Sequence, residues 1–293
     1  MISQSSIPYH ARVVRHFGST RALEILALQA SPILGILLGG FSPGRDGVVH
    51  PGLLILGSLA LTAHVFVLND WAGHVSDSRD PRRVTFVFDR QGINRRHVAQ
   101  VAVALLIFAN VSFAVIGSRP VLLGAGIATL SLLYSCSPSF GKTTPIAASI
   151  NHLLGGTLLF LLGYSLCHAV DARGVLISLF FGFVFAAGHL NQEVRDYEGD
   201  LLNEIRTSAV VFGCRRAFLA SLFFFTVAYA ILFTLAAEGI LPKLLLWSPG
   251  VWLLQVLWSL QALRRGLGFE TALWIQRRYR LLFAFIGIAM LAR

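Results

Sequence analysis

The chain has 293 residues, of which 55% are hydrophobic and only 13% charged, and its mean hydropathy is +0.70. Soluble domains carry about 25% charged residues, so the composition excludes a soluble globular protein, a disordered chain, a coiled coil and a disulfide scaffold, and leaves a polytopic membrane protein. The net charge of +10 calls for no nucleic acid partner, because basic loops are how membrane proteins set their orientation.

The first 21 residues contain no apolar core ahead of a cleavage site and read as a tail, not a cleaved signal peptide. Apolar runs long enough to span a bilayer then fall at 22–41, 51–69, 98–117, 120–136, 145–166, 174–192, 216–237, 243–262 and 277–292. They predict an all-α polytopic bundle of nine transmembrane helices, forming a single integral-membrane domain over 1–293. Lys and Arg are divided unequally between the two sides. The tail has three, the loop after the second run six, the loop after the fourth one (Lys142), the loop after the sixth four, and the loop after the eighth with the start of the ninth five. The opposite side has only Arg45, Arg119, Arg173, Lys243 and Arg293. This asymmetry places the N-terminus and the even-numbered loops in the cytoplasm of what reads as a bacterial inner-membrane protein. Cys136, Cys167 and Cys214 are scattered and form neither a disulfide framework nor a zinc motif.

Nine of the 14 acidic residues lie in two short stretches, each beginning where an apolar run ends. The first holds Asp70, Asp77, Asp80 and Asp89; the second holds Glu193, Asp196, Glu198, Asp200 and Glu204. Asp70 and Asp77, Asp77 and Asp80, and Asp196 and Asp200 are spaced seven, three and four apart, which puts each set near one face of a continued helix. Like charges so placed repel, and carboxylates near a helix C-terminus are disfavoured. A divalent cation is the simplest compensation, and Mg2+ takes one or two carboxylates plus substrate phosphates. Arg79, Arg82, Arg83, Arg195 and Arg206 at the rim suit phosphate oxygens. The residues thus predict an anionic diphosphate head at the mouth of a bundle and an apolar tail within it. A transporter would place its ionisable residues near mid-span on broken helices, and here mid-span charges are absent.

At these residues the sequence resembles the UbiA family of intramembrane prenyltransferases. That family has nine helices and acidic motifs after helices 2 and 6. Its first motif, N-D-x-x-D-x-x-x-D, is matched by Asn69-Asp70 and Asp77; its second by Asp196, Glu198 and Asp200, followed by Ile205-Arg206-Thr207, Val210 and Gly213. Leu133-Tyr134-Ser135, Pro138 and Lys142 are similar to the family's stretch after helix 4. The likeness covers nearly the whole chain and is nearest to the homogentisate-type and related branches. One departure stands out: the middle Asp of the first motif is Gly73, and the basic stretch usual downstream is reduced to Val87–Gly92. Either Asp80 or His74 replaces the lost ligand, or the protein is an altered member.

The resemblance implies Mg2+-dependent transfer of an isoprenyl group from an isoprenyl diphosphate to an acceptor, typically an aromatic ring or quinone precursor, amid membrane lipids. It implies Asp70, Asp77, Asp196 and Asp200 as metal ligands, with Asp80 in reserve. Asn69, Arg195, Arg206, Lys142 and Asn151 would bind substrate, and Tyr134 would face the allylic cation. A membrane terpene cyclase and a non-catalytic lipid-binding relative are the alternatives. Polar residues inside the runs (His64, Asn151, His152, His189, Asn191) read chiefly as helix-to-helix hydrogen bonds. Phe180–Phe185 reads either as a prenyl tunnel wall or as a lipid-facing surface.

Overall fold

The computed structural model describes residue 16 and residues 21–84 and 87–292. The rest of the tail lies outside the described residues. Among these, all regular structure is helical. The long helices are α1 (Arg21–Leu38), α2 (Val49–Arg79), α3 (Arg95–Ile116), α4 (Ser118–Cys136), α5 (Ala147–Tyr164), α6 (Ala172–Leu202), α7 (Cys214–Ala237), α8 (Ser248–Arg265) and α9 (Phe269–Ala289). The first seven, and α8 together with the 3-10 turn Lys243–Trp247, are long and apolar enough to cross a membrane. The remaining helix, α9, has 21 residues, but Arg277, Arg278 and Arg280 interrupt its apolar run.

The helix boundaries depart from the apolar runs in an informative way. α2 and α6 have 31 residues each, roughly 46 Å at 1.5 Å per residue, against a hydrocarbon core of about 30 Å. Both therefore continue as helix past the apolar stretch and carry the acidic residues with them. α9 begins at Phe269, eight residues before its apolar run, because the charged first half still has helix-compatible partners: Arg278 stacks on Trp274 and Trp258, and Arg265 on Trp274. Such arginines lay their stems on apolar surface and keep their heads polar.

α6 is the central element, packed against α5, α7 and α9, while α2 packs against α3 and α4. Three of the five intramembrane polar residues tie helices together, whereas the His152 Nδ1 contact with Ala148 and the His189 pairing with Glu193 stay within their own helices. His64 Nδ1 lies 2.8 Å from the Ala102 carbonyl on α3, Asn191 donates to Ser221 Oγ on α7 at 2.7 Å, and Asn151 donates to the Leu130 carbonyl on α4 at 2.8 Å. Between α1 and α5 the backbones touch. A Cβ on Gly163 would overlap the Pro32 carbonyl, and one on Gly35 the Phe160 carbonyl. Small residues permit such approach where lipid offers no hydrophobic drive for helix association. Gly163→Val should therefore cost roughly 3 kcal/mol, lowering the thermal unfolding midpoint in detergent by roughly 6–10 °C. Gly155→Ala, on the same helix where a Cβ meets nothing within 4 Å, should leave or raise that midpoint.

Candidate active site at the acidic mouth of the bundle

The start of α1 and the segments after α2, α4 and α6 meet at one end of the bundle, through contacts between Arg21 and Asp70, Gly73 and Lys142, and Arg83 and Asp196. The overhanging ends of α2 and α6 bring the two acidic stretches together there. Arg83, just beyond α2, lies between them. It donates to Asp77 Oδ1 at 3.1 Å and to Asp196 Oδ2 at 2.5 Å, and its Nε lies 3.6 Å from Asp80 Oδ2. Burial opposes its charge, but Asp196, Asp77 and Asp200 outweigh that and hold the guanidinium pKa above its ordinary value. Arg195 grips Asp196 with two hydrogen bonds, 2.7 and 2.8 Å, and is itself braced on Gln276 Oε1 of α9 at 3.1 Å. Arg82 pairs with Glu198 and stacks on Phe269.

Not every predicted ligand sits in this cluster. Asp70 borders the cavity but is paired with Arg21, which donates to both of its oxygens at 2.6 and 3.3 Å. Asp80 is buried at the end of α2. Its Oδ1 accepts from the Arg82 backbone N–H at 2.9 Å, and its Oδ2 occupies the place a side chain at 199 would need. It joins the post-α2 turn to Gly199 of α6, so the expectation of a reserve ligand gives way to a structural one. His74 stacks on Phe88 and lies 3.9 Å from Asp89, a pairing that gives it a partner other than a metal. Arg206 is exposed and is not among the residues that border the cavity.

Asp200 makes no ion pair with any described residue, and neither does Lys142. Both border the same cavity, as do Asn69, Asp77, Tyr134, Asn151, Arg195 and Asp196. Asn69 Oδ1 is buried without a hydrogen-bond partner. Among the described residues no three His, Cys, Asp or Glu side chains converge tightly enough to hold an ion alone. The oxygen-only donor set, with one unpaired carboxylate and an orphan amide oxygen, fits a hard cation that completes its shell with water and substrate phosphate.

The cavity has a volume of about 1250 Å³, above the range of ordinary small-molecule pockets. Its lining includes Tyr134, His152 and His189 and the phenylalanines Phe180, Phe181 and Phe185, with Phe283 packed beside Phe180. The Phe-rich run of α6 thus lines the cavity with three of its rings. The His152 and His189 rings stack 3.8 Å apart at 8°, with the Tyr134 ring edge-on to both. His189 Nε2 lies 3.0 Å from Glu193 Oε1, and Glu193 Oε2 accepts from the Ala209 N–H. Sequence reasoning had treated these histidines singly; their stacking is a product of the α5–α6 crossing, which no local spacing encodes.

Among the described residues, an all-helical membrane bundle thus opens at a charged mouth onto a large cavity with apolar walls. The profile of the UbiA prenyltransferase family matches residues 32–287, and the chain belongs to that family. Among solved structures, a UbiA homologue from Archaeoglobus fulgidus bound to GPP and Mg2+ superposes with a TM-score of 0.71 at 18% identity, covering 96% of this chain and 99% of that one. A digeranylgeranylglyceryl phosphate synthase gives 0.72 at 16% identity, with 95% and 97% covered. A UbiA homologue from Aeropyrum pernix K1 gives 0.70 at 17%, with 90% and 96% covered. At these identities the likeness concerns the fold. No curated protein matches the chain in sequence.

Proposed function

We propose that the protein transfers an isoprenyl group from an allylic isoprenyl diphosphate to an acceptor, an aromatic ring or quinone precursor, within the membrane. The observation that carries this reading is a single cavity whose mouth holds carboxylates, an unpaired ammonium and a braced guanidinium, and whose interior is lined by phenylalanine rings. The head and tail of one amphiphilic ligand need those two environments in that order. The family assignment and the fulgidus relative, bound to GPP and Mg2+, support it. The excess of basic residues on the side of the acidic mouth supports a cytoplasmic N-terminus and mouth.

Asp196 and Asp200, with Asp77, would hold Mg2+ directly or through water, while Asp70 would act only through Arg21. Magnesium, when bound, supplies positive charge at the departing diphosphate. Lys142 and Arg195 place further positive charge at the phosphate oxygens before any bond breaks, so no reorganisation is needed as charge develops. Asn69 offers an amide at the same level. The C1–O bond breaks with its electron pair leaving on the diphosphate. The allylic cation then lies beside the Tyr134 ring, whose π face favours positive charge. The acceptor's π electrons form the new bond and the acceptor loses a proton. The phenylalanine walls keep water from quenching the cation as an alcohol.

The test is diphosphate release by the purified protein in detergent, with geranyl, farnesyl and geranylgeranyl diphosphate, Mg2+ and a panel of phenolic acceptors. Release that requires both Mg2+ and an acceptor is expected, with EDTA abolishing it. Release without acceptor, yielding a hydrocarbon, would mark a terpene cyclase instead. No release and no Mg2+-dependent diphosphate binding would overturn the reading.

A further inference from the structure

We propose that Lys142 takes the place of a metal ion on the α2 side of the mouth, so that this chain holds its diphosphate with a single divalent cation; the inference rests on the reading above. Gly73 is buried, and a Cβ there would lie 3.0 Å from Lys142 Nζ and 3.4 Å from Asp77 Oδ2. The ammonium therefore rests against the α2 backbone at the point where any longer residue would project a side chain. The rest of the α2 wall offers little to a metal. Both Asp70 oxygens are occupied by Arg21, and Asp77 shares Arg83 with Asp196.

The α6 wall differs. Asp196 is as fully paired as Asp70, its oxygens taken by Arg195 and Arg83, but Asp200, one turn on, has no ion-pair partner among the described residues. A hard cation belongs there, with an ammonium opposite it.

The turn that presents Lys142 is built tightly. The Lys142 N–H donates to the Tyr134 carbonyl at 3.0 Å, and the Thr144 N–H to the Gly141 carbonyl at 3.0 Å. A Cβ on Gly141 would overlap the Ser137 carbonyl. The lysine is thus delivered from a fixed backbone, not from a loose loop.

The experiment counts ions. The purified full-length chain in detergent is titrated with Mn2+ in the presence of inorganic diphosphate, free Mn2+ is read by electron paramagnetic resonance, and diphosphate affinity is measured at saturating Mn2+. One Mn2+ per chain is expected. Lys142→Met should weaken diphosphate binding about 10- to 100-fold, the range of a charge-assisted hydrogen bond, with the ion count still one. Gly73→Asp, which brings a carboxylate onto the ammonium, should weaken it at least about fivefold while Lys142 remains; it carries the test alone if the Met variant fails to fold. Two Mn2+ ions per wild-type chain would overturn the inference while leaving the diphosphate reading standing. So would undiminished affinity in Lys142→Met, or tighter binding by Gly73→Asp. No diphosphate binding by the wild type would instead overturn the functional reading, and this inference with it.

Discussion

Asp200→Asn should lower Mg2+-dependent diphosphate release by at least about 100-fold while leaving the unfolding midpoint in EDTA unchanged or slightly raised. The carboxylate has no ion-pair partner among the described residues, so removing its charge breaks no pair, and it also relieves the repulsion from Asp196 one turn away. What is lost is the one carboxylate at the mouth that is open to a cation. Asp70→Asn provides the contrast. Arg21 already occupies both of its oxygens, and the loss of activity should stay within about tenfold, the lower range for groups that act through another residue. Initial rates across a Mg2+ series separate the two cases. Asp200→Asn should raise the Mg2+ concentration for half-maximal rate, and Asp70→Asn should not. Equal losses in both variants would return Asp70 to the set of direct ligands that its place in the motif suggests.

That contrast marks how far the sequence is legible. The apolar runs show the order of the long helices, eight of which are able to cross a membrane where nine spans were expected, because a membrane span must be long and continuously apolar, and the acidic spacing shows that α2 and α6 continue beyond the apolar runs. The runs do not show the charged first half of α9, since the stacking of Arg278 on Trp258 of α8 is defined only by packing. In the site, spacing places Asp70 and Asp77 on one helix face, but a shared face is not a shared ligand. The helix rise separates residues seven apart by roughly 10 Å, enough for Asp70 to fall to Arg21 and Asp77 to Arg83. Both arginines lie in basic segments, where a residue that sets topology and one that completes a site look alike. Asp80 is a similar case: its spacing suits a ligand, while its partner, Gly199, lies on another helix. Lys142 was legible as a member of a motif, but its position against Gly73 joins two features that are 69 residues apart.

Removal of Arg83 should also be felt in stability, and the direction of its rescue is specific. Its guanidinium touches carboxylates at the end of α2 and on α6, Asp77, Asp80 and Asp196. Breaking a buried ion pair by deleting one partner typically costs 3–5 kcal/mol, because a charge is left uncompensated. The Arg83 side chain keeps 39% exposure, so water screens part of that loss, and Arg83→Met should cost about 2 kcal/mol, roughly 4–8 °C in the midpoint, measured in EDTA. The carboxylates freed by the substitution form a stronger cation site than the native one. Adding Mg2+ should therefore raise the midpoint of Arg83→Met more than that of the wild type, by the ordinary linkage between ligand binding and stability. A general packing defect would lower both midpoints by the same amount with and without the ion. The comparison of the two shifts in Mg2+ thus decides whether Arg83 holds the acidic stretches together as a cation or only as a bulky side chain. Equal shifts would refute the first.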